Sequence, residues 1–139
     1  MVAGTMERSF RREIASLEGL VGFVREFVAG EGLGESLAFD LDLVLEELFT
    51  NQVKYGGADS GDIAIALDRR GQDVVMTLRD FDAVPFDPTL APAAAPGRPL
   101  AERQPGGLGI HFVRELSERF EYAYRDRTCI ITVTMRNPA

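Results

Sequence analysis

Glu46-Glu47-Leu48-Phe49-Thr50-Asn51 is the stretch on which the reading of this chain turns. It lies near the end of a segment, about Ser36 to Tyr55, whose Leu37, Leu41, Val44, Leu45 and Leu48 recur with helical period. That spacing gathers them on one face of an amphipathic helix. Glu47 and Asn51 are four residues apart, so they share a face with Cβ atoms roughly 6 Å apart. Asn is a poor helix former, and no local feature explains it there. A carboxylate and an amide carbonyl side by side can hold Mg²⁺ and its waters, because hard cations take oxygen ligands. Such a carboxylate can also accept a proton from an attacking hydroxyl. A solvated Glu and a tolerated Asn near a helix end is the alternative. Gly56-Gly57 is expected to stop the helix with left-handed backbone.

Upstream, Met6 to Arg12 reads as an edge strand. Ile14, Leu17, Leu20, Val21, Val24, Phe27 and Val28 mark a first helix over 14–29, ended by Gly30 and Gly32. Downstream, Ile63, Ile65 and Leu67, then Val74, Met76 and Leu78, alternate with their neighbours across an Arg70-Gly71-Gln72-Asp73 turn, as in a hairpin. Residues 85–105, PFDPTLAPAAAPGRPLAERQP, hold six of the seven prolines. A loop of that length inside a compact domain is usually functional, and it reads as a lid over about 86–106. A third helix is expected over Ile110 to Arg119. A last hairpin, 120–125 and 128–136, turns at Asp126-Arg127. Strands and helices segregate along the chain, which favours a layer of helices on one face of a mainly antiparallel sheet.

Two further stretches bear on chemistry. Gly106-Gly107-Leu108-Gly109 precedes the third helix. Glycine lets backbone approach phosphate oxygens, and a helix N-terminus offers unpaired N–H groups. A flexible turn into an ordinary helix is the alternative. Arg79-Asp80-Phe81-Asp82 delivers two acids at a strand end where the lid begins, and a carboxylate there can accept from the exocyclic amine of a base.

Composition bounds the rest. The 139 residues suit one domain spanning 1–139, and 45% are hydrophobic, enough for a core. The net charge of −7 argues against non-specific nucleic-acid binding, which needs clustered Lys and Arg. Cys129 is the only cysteine, so no internal disulfide forms, in keeping with a reducing compartment. Apolar runs fall far short of the roughly 20 residues of a membrane helix. Met1 to Glu7 lacks the basic and apolar regions of a signal peptide. A soluble, cytoplasmic protein that uses neither membrane nor nucleic acid is expected. His111 is read as a packing or capping residue, Cys129 as a small buried hydrophobe and Thr50 as a helix-face residue, and Arg98 and Arg103 as solvated loop charges rather than contacts to a terminal phosphate.

Taken in order, Glu-Leu-x-x-Asn closing a helix, Asp-x-x-x-x-Pro-Phe-Asp-Pro after a hairpin and Gly-Gly-Leu-Gly opening a helix resemble the ATP-binding module of the GHKL superfamily. The small size and the Pro-Phe-Asp-Pro stretch are similar to its anti-sigma-factor serine/threonine kinase branch, the RsbW and SpoIIAB type. The resemblance covers about Ser9 to Met135. It implies the Bergerat-type fold, an α+β two-layer sandwich with a mixed, mainly antiparallel sheet, helices on one face and an ATP lid. It implies ATP and Mg²⁺ as ligands, Asn51 on the metal and Glu47 as catalytic base. It also implies Lys54 facing phosphate, and Gly106, Gly107, Leu108 and Gly109 around the phosphates. Tyr55 stands where the family usually has histidine. The family's Asp-x-Gly box is altered. Counting back from Pro85-Phe86 puts its aspartate on Phe81 and its glycine on Ala83, whereas counting forward from the strand puts the adenine contact on Asp80 with one residue inserted. Asp80 is preferred, because Phe81 cannot accept a hydrogen bond. Partners implied are a small antagonist protein, a sigma factor or both, with a possible homodimer through the first strand and helix. A non-catalytic, nucleotide-dependent binding module is the alternative that the altered box favours. A histidine-kinase catalytic domain acting in trans is a third.

Overall fold

A computed structural model describes residues 5–57, 61–90 and 107–136. Among the described residues five strands, β1 (Thr5–Phe10), β2 (Ile63–Arg70), β3 (Asp73–Asp80), β4 (Arg119–Arg125) and β5 (Thr128–Arg136), form one sheet in the order β1-β2-β3-β5-β4. All four pairings are antiparallel, so the parallel pair of a mixed sheet does not occur among the described residues. Three α-helices, α1 (Leu17–Glu31), α2 (Glu35–Tyr55) and α3 (Gly107–Leu116), accompany it, and α2 packs against both α1 and α3. The architecture is the α+β arrangement expected.

The sheet's period-two pattern decides which face is buried. Ile63, Ile65 and Leu67 of β2, Val74, Met76 and Leu78 of β3, and Ile131, Val133 and Met135 of β5 are all buried and belong to one core with the helices. The register aligns them across the sheet: Ile65 faces Leu78, which faces Ile131. From the helices the core receives Phe23, Val24 and Phe27 of α1 and Leu41, Leu45, Leu48 and Phe49 of α2. Two polar residues continue these apolar patterns. Asp80 follows Leu78 by two and lies in the row of Ile63 and Cys129, and Gln52 follows Leu48 by four. Both are wholly buried.

Several boundaries differ from the sequence reading. A short 3-10 turn (Ile14–Ser16) precedes α1, which runs on to Glu31 and ends on left-handed Gly32, φ 65°. The third helix starts at Gly107, three residues early, and stops at Leu116, because the Glu118 N–H already donates to the Thr134 carbonyl in the sheet. At the end of α2 the left-handed residue is Gly57, φ 106°, while Gly56 has φ −78°, open to any residue. What Gly56 supplies is room. A methyl group there would overlap the Asp80 carboxylate and lie 2.7 Å from the Gln52 carbonyl and 3.0 Å from Arg12 Nη1. The β4–β5 turn carries Asp126 and Arg127 at φ 50° and 62°, the left-handed pair of a tight hairpin.

Gly56→Ala is therefore expected to destabilise the fold by about 1–3 kcal/mol through overpacking. Gly22→Ala, in α1 with open space around it, is expected to stabilise by about 0.5–1 kcal/mol. Urea unfolding of the two variants checks this, and equal effects at the two sites would contradict the packing described.

Candidate functional site

Glu47 and Asn51 meet as their spacing requires. Asn51 Nδ2 donates to Glu47 Oε1 at 3.2 Å. A carboxylate accepts only, so the amide must turn its nitrogen toward Glu47. That leaves Asn51 Oδ1 for another partner. Asn51 is 3% exposed, which fixes the amide, while Glu47 is half-buried. Burial pushes the Glu47 carboxyl above its ordinary value, against the lowering effects of the Asn51 hydrogen bond and of Lys54, with Glu46 adding to the rise. A raised carboxyl is a better proton acceptor near neutral pH. Lys54 is exposed in the last turn of α2.

No group of three or more His, Cys, Asp or Glu that could hold a metal occurs among the described residues. The donors at hand are one carboxylate and one amide oxygen. These are hard oxygen ligands that fit Mg²⁺, provided phosphates and water complete its shell.

Gly107 and Gly109 lie inside the first turn of α3 rather than in a turn ahead of it. The backbone N–H groups of Gly107, Leu108 and Gly109 are thus among the first four of the helix, which have no partner within it. Ile110 and Val113 are buried and anchor α3 in the core it shares with α2, the helix that carries Glu47 and Asn51. Gly106, Arg98, Arg103 and the lid beyond Leu90 lie outside the described residues.

The chain leading into the expected lid is tied down. The Val84 N–H donates to the Gly56 carbonyl at 2.9 Å, the Ala83 N–H to the Arg127 carbonyl at 2.9 Å, and the Tyr124 hydroxyl to the Ala83 carbonyl at 2.7 Å. The Phe86 ring stacks on Tyr55 with centroids 5.0 Å apart. Arg114 Nη2 of α3 donates to the Thr89 carbonyl at 2.5 Å. Asp82 has φ 54°, the left-handed conformation that a glycine would take two residues after Asp80. Phe81 is 45% exposed and Ala83 is buried.

Asp80 is engaged on both oxygens. Oδ1 accepts from Arg12 Nη2, and Oδ2 accepts from Gln52 Nε2 at 2.6 Å. Arg12 Nη1 also donates to the Gln52 carbonyl at 2.5 Å. Burial pulls the Arg12 guanidinium below its ordinary value, yet arginine stays a cation. The sequence reading missed Arg12 and Gln52. Gln52 had a signal, since it falls on the buried stripe of α2 as a polar residue. Arg12 had none, because only tertiary structure brings it to a residue 68 positions on. His111 is exposed and pairs with Glu115 at 3.0 Å.

The fold carries an acid and a buried amide on its central helix, a glycine-opened helix packed against that helix, and a carboxylate at the end of the middle strand. Residues 10–136 match the histidine kinase-like ATPase domain, and the chain belongs to that family. A structure holding the RsbU and RsbW domains of Rv1364c from Mycobacterium tuberculosis is 18% identical with a TM-score of 0.65, over 95% of this chain and 32% of that one. A blue-light-activated histidine kinase of Erythrobacter litoralis is 16% identical with a TM-score of 0.51, over 89% of this chain and 60% of that one. The chain thus spans about a third of the first structure and three fifths of the second, and these likenesses concern the fold. No curated protein matches the chain. No helix among the described residues is long and apolar enough to cross a membrane.

The raised Glu47 carboxyl has a consequence for stability. The folded state favours the protonated form, so it binds more protons than the unfolded chain, and stability falls as pH rises from the ordinary carboxyl value through the folded one. Glu47→Gln removes that loss. The variant's melting temperature relative to the natural chain should be higher at pH 7.5 than at pH 4. A gain confined to acid pH would contradict the burial argument.

Proposed function

We propose that the chain binds Mg–ATP and transfers its terminal phosphate to a Ser or Thr hydroxyl of a small partner protein. The observation that carries this reading is the Glu47–Asn51 pair, a buried amide whose nitrogen is turned to a carboxylate of raised proton affinity. Mg²⁺ shared between Asn51 and the phosphates would neutralise charge on the transferred group. The first N–H groups of α3, on Gly107, Leu108 and Gly109, and the Lys54 ammonium supply positive potential for the phosphate chain. Glu47 accepts the hydroxyl proton as that oxygen bonds to the γ-phosphorus and the bond to the ADP leaving oxygen breaks. Asp80 stands at the base end of the same site.

The partner side of the proposal rests on the resemblance to the anti-sigma-factor kinases. On it, the chain sequesters a sigma factor or a similar client, and phosphorylating an antagonist switches partners. A homodimer through β1, an edge strand of the sheet, and α1 belongs to the same proposal. One observation favours a second reading, a binding module without transfer: the base-end carboxylate is already bonded on both oxygens.

Two variants separate binding from transfer. Asn51→Ala should lower Mg-dependent ATP affinity by at least about tenfold in calorimetry, the scale of losing one ligand or charge-assisted contact. Unchanged affinity removes Asn51 from the site. Glu47→Gln should keep ATP and slow transfer to a co-purified partner by about 10²- to 10⁴-fold, the usual contribution of a positioned base. Transfer at the natural rate removes Glu47 as base.

A further inference from the structure

Gln52 and Asp80 are polar residues that end two apolar patterns, one on α2 and one on β3, and they meet between the layers. The Gln52 side-chain NH₂ donates to Asp80 Oδ2 at 2.6 Å. An exocyclic amine of a nucleobase would make the same N–H to carboxylate contact. The Gly56 backbone lies against the same oxygen, so close that an added methyl would overlap it, which leaves the Gln52 position as the one an incoming amine would take. Two buried atoms beside it have no hydrogen-bond partner among the described residues, the acceptor Gln52 Oε1 and the donor Arg12 Nε. Leaving such atoms unpaired is costly, and packing for stability alone does not require it. An adenine edge carries an amine donor for the carboxylate that Gln52 would vacate and, beside it, a ring-nitrogen acceptor for the Arg12 Nε–H.

We propose that Gln52 is a built-in stand-in for the base, which occupies the Asp80 carboxylate in the nucleotide-free chain and must swing aside for adenine to bind. This rests on the nucleotide site proposed above and names the residue that sets its affinity. Arg12 keeps Oδ1 in both states, so the buried charge stays paired throughout. The phosphate end, at Asn51 and α3, is independent of the exchange. The empty protein therefore holds phosphates readily and the adenine moiety reluctantly.

The test compares calorimetric binding of Mg–ATP and Mg–tripolyphosphate by the natural chain, Gln52→Ala and Gln52→Ser. Both variants shorten the side chain and leave Asp80 its Arg12 partner. Each folded variant should bind Mg–ATP at least about tenfold more tightly, the scale of one hydrogen bond to a charged group no longer displaced, with Mg–tripolyphosphate unchanged. In the natural chain, the Gln52 side-chain NH₂ signals in NMR should shift with Mg–ATP and stay in place with Mg–tripolyphosphate, a readout that needs no variant. Equal or weaker ATP affinity in a folded variant, or Gln52 signals unmoved at saturating ATP, overturns the stand-in while leaving the phosphate site intact. Failure of all three chains to bind either ligand overturns the nucleotide site itself and this inference with it.

Discussion

A fully buried carboxylate at the end of β3 is the constraint around which this domain is arranged. Asp80 sits where the inward row of the sheet reaches the helix layer, and an unpaired charge there would be severely destabilising. Arg12, from the chain just beyond β1, and Gln52, from the last turns of α2, meet it. The network joins the chain just beyond the first strand, the central helix and the middle strand, segments far apart in sequence. Breaking such a buried pair typically costs about 3–5 kcal/mol. The absence of a side chain at Gly56 lets the layers close on it.

The same helix turn that closes one end of the site opens the other. Gln52 points into the interlayer network, while its neighbour Asn51 donates to Glu47. Raised proton affinity at Glu47 and the first N–H groups of α3, which have no partner within the helix, suit the proposed chemistry on phosphates. The segment after β3, pinned to Gly56, Tyr55 and Arg114, leads from the closed end to the start of the lid. On the proposed function, the site is asymmetric, open to phosphate and metal and guarded at the base.

Much of this was legible in the sequence, because it is periodic. The α2 stripe fixes the face that Glu47 and Asn51 share, and the alternations of β2, β3 and β5 fix the buried side of the sheet. What escaped was where a pattern is continued by the wrong kind of residue. Val74, Met76 and Leu78 lead inward to Asp80, and Leu45 and Leu48 lead inward to Gln52, yet pairing an exception on a helix with one on a strand is a tertiary event. Glycines at 107 and 109 argue against helix by propensity, and burial of Ile110 and Val113 overrides them. The left-handed Asp82 shows that a missing glycine need not mean a missing conformation, since Asp tolerates that region better than most residues.

On the proposed function, nucleotide binds with its metal at Asn51 and its phosphates at the start of α3. A crystal structure of the chain with Mg²⁺ and a non-hydrolysable ATP analogue tests it most directly. The account predicts Asn51 Oδ1 among the metal's ligands and phosphate oxygens within hydrogen-bond distance of the Gly107 to Gly109 backbone. Metal and phosphates bound away from both would contradict it.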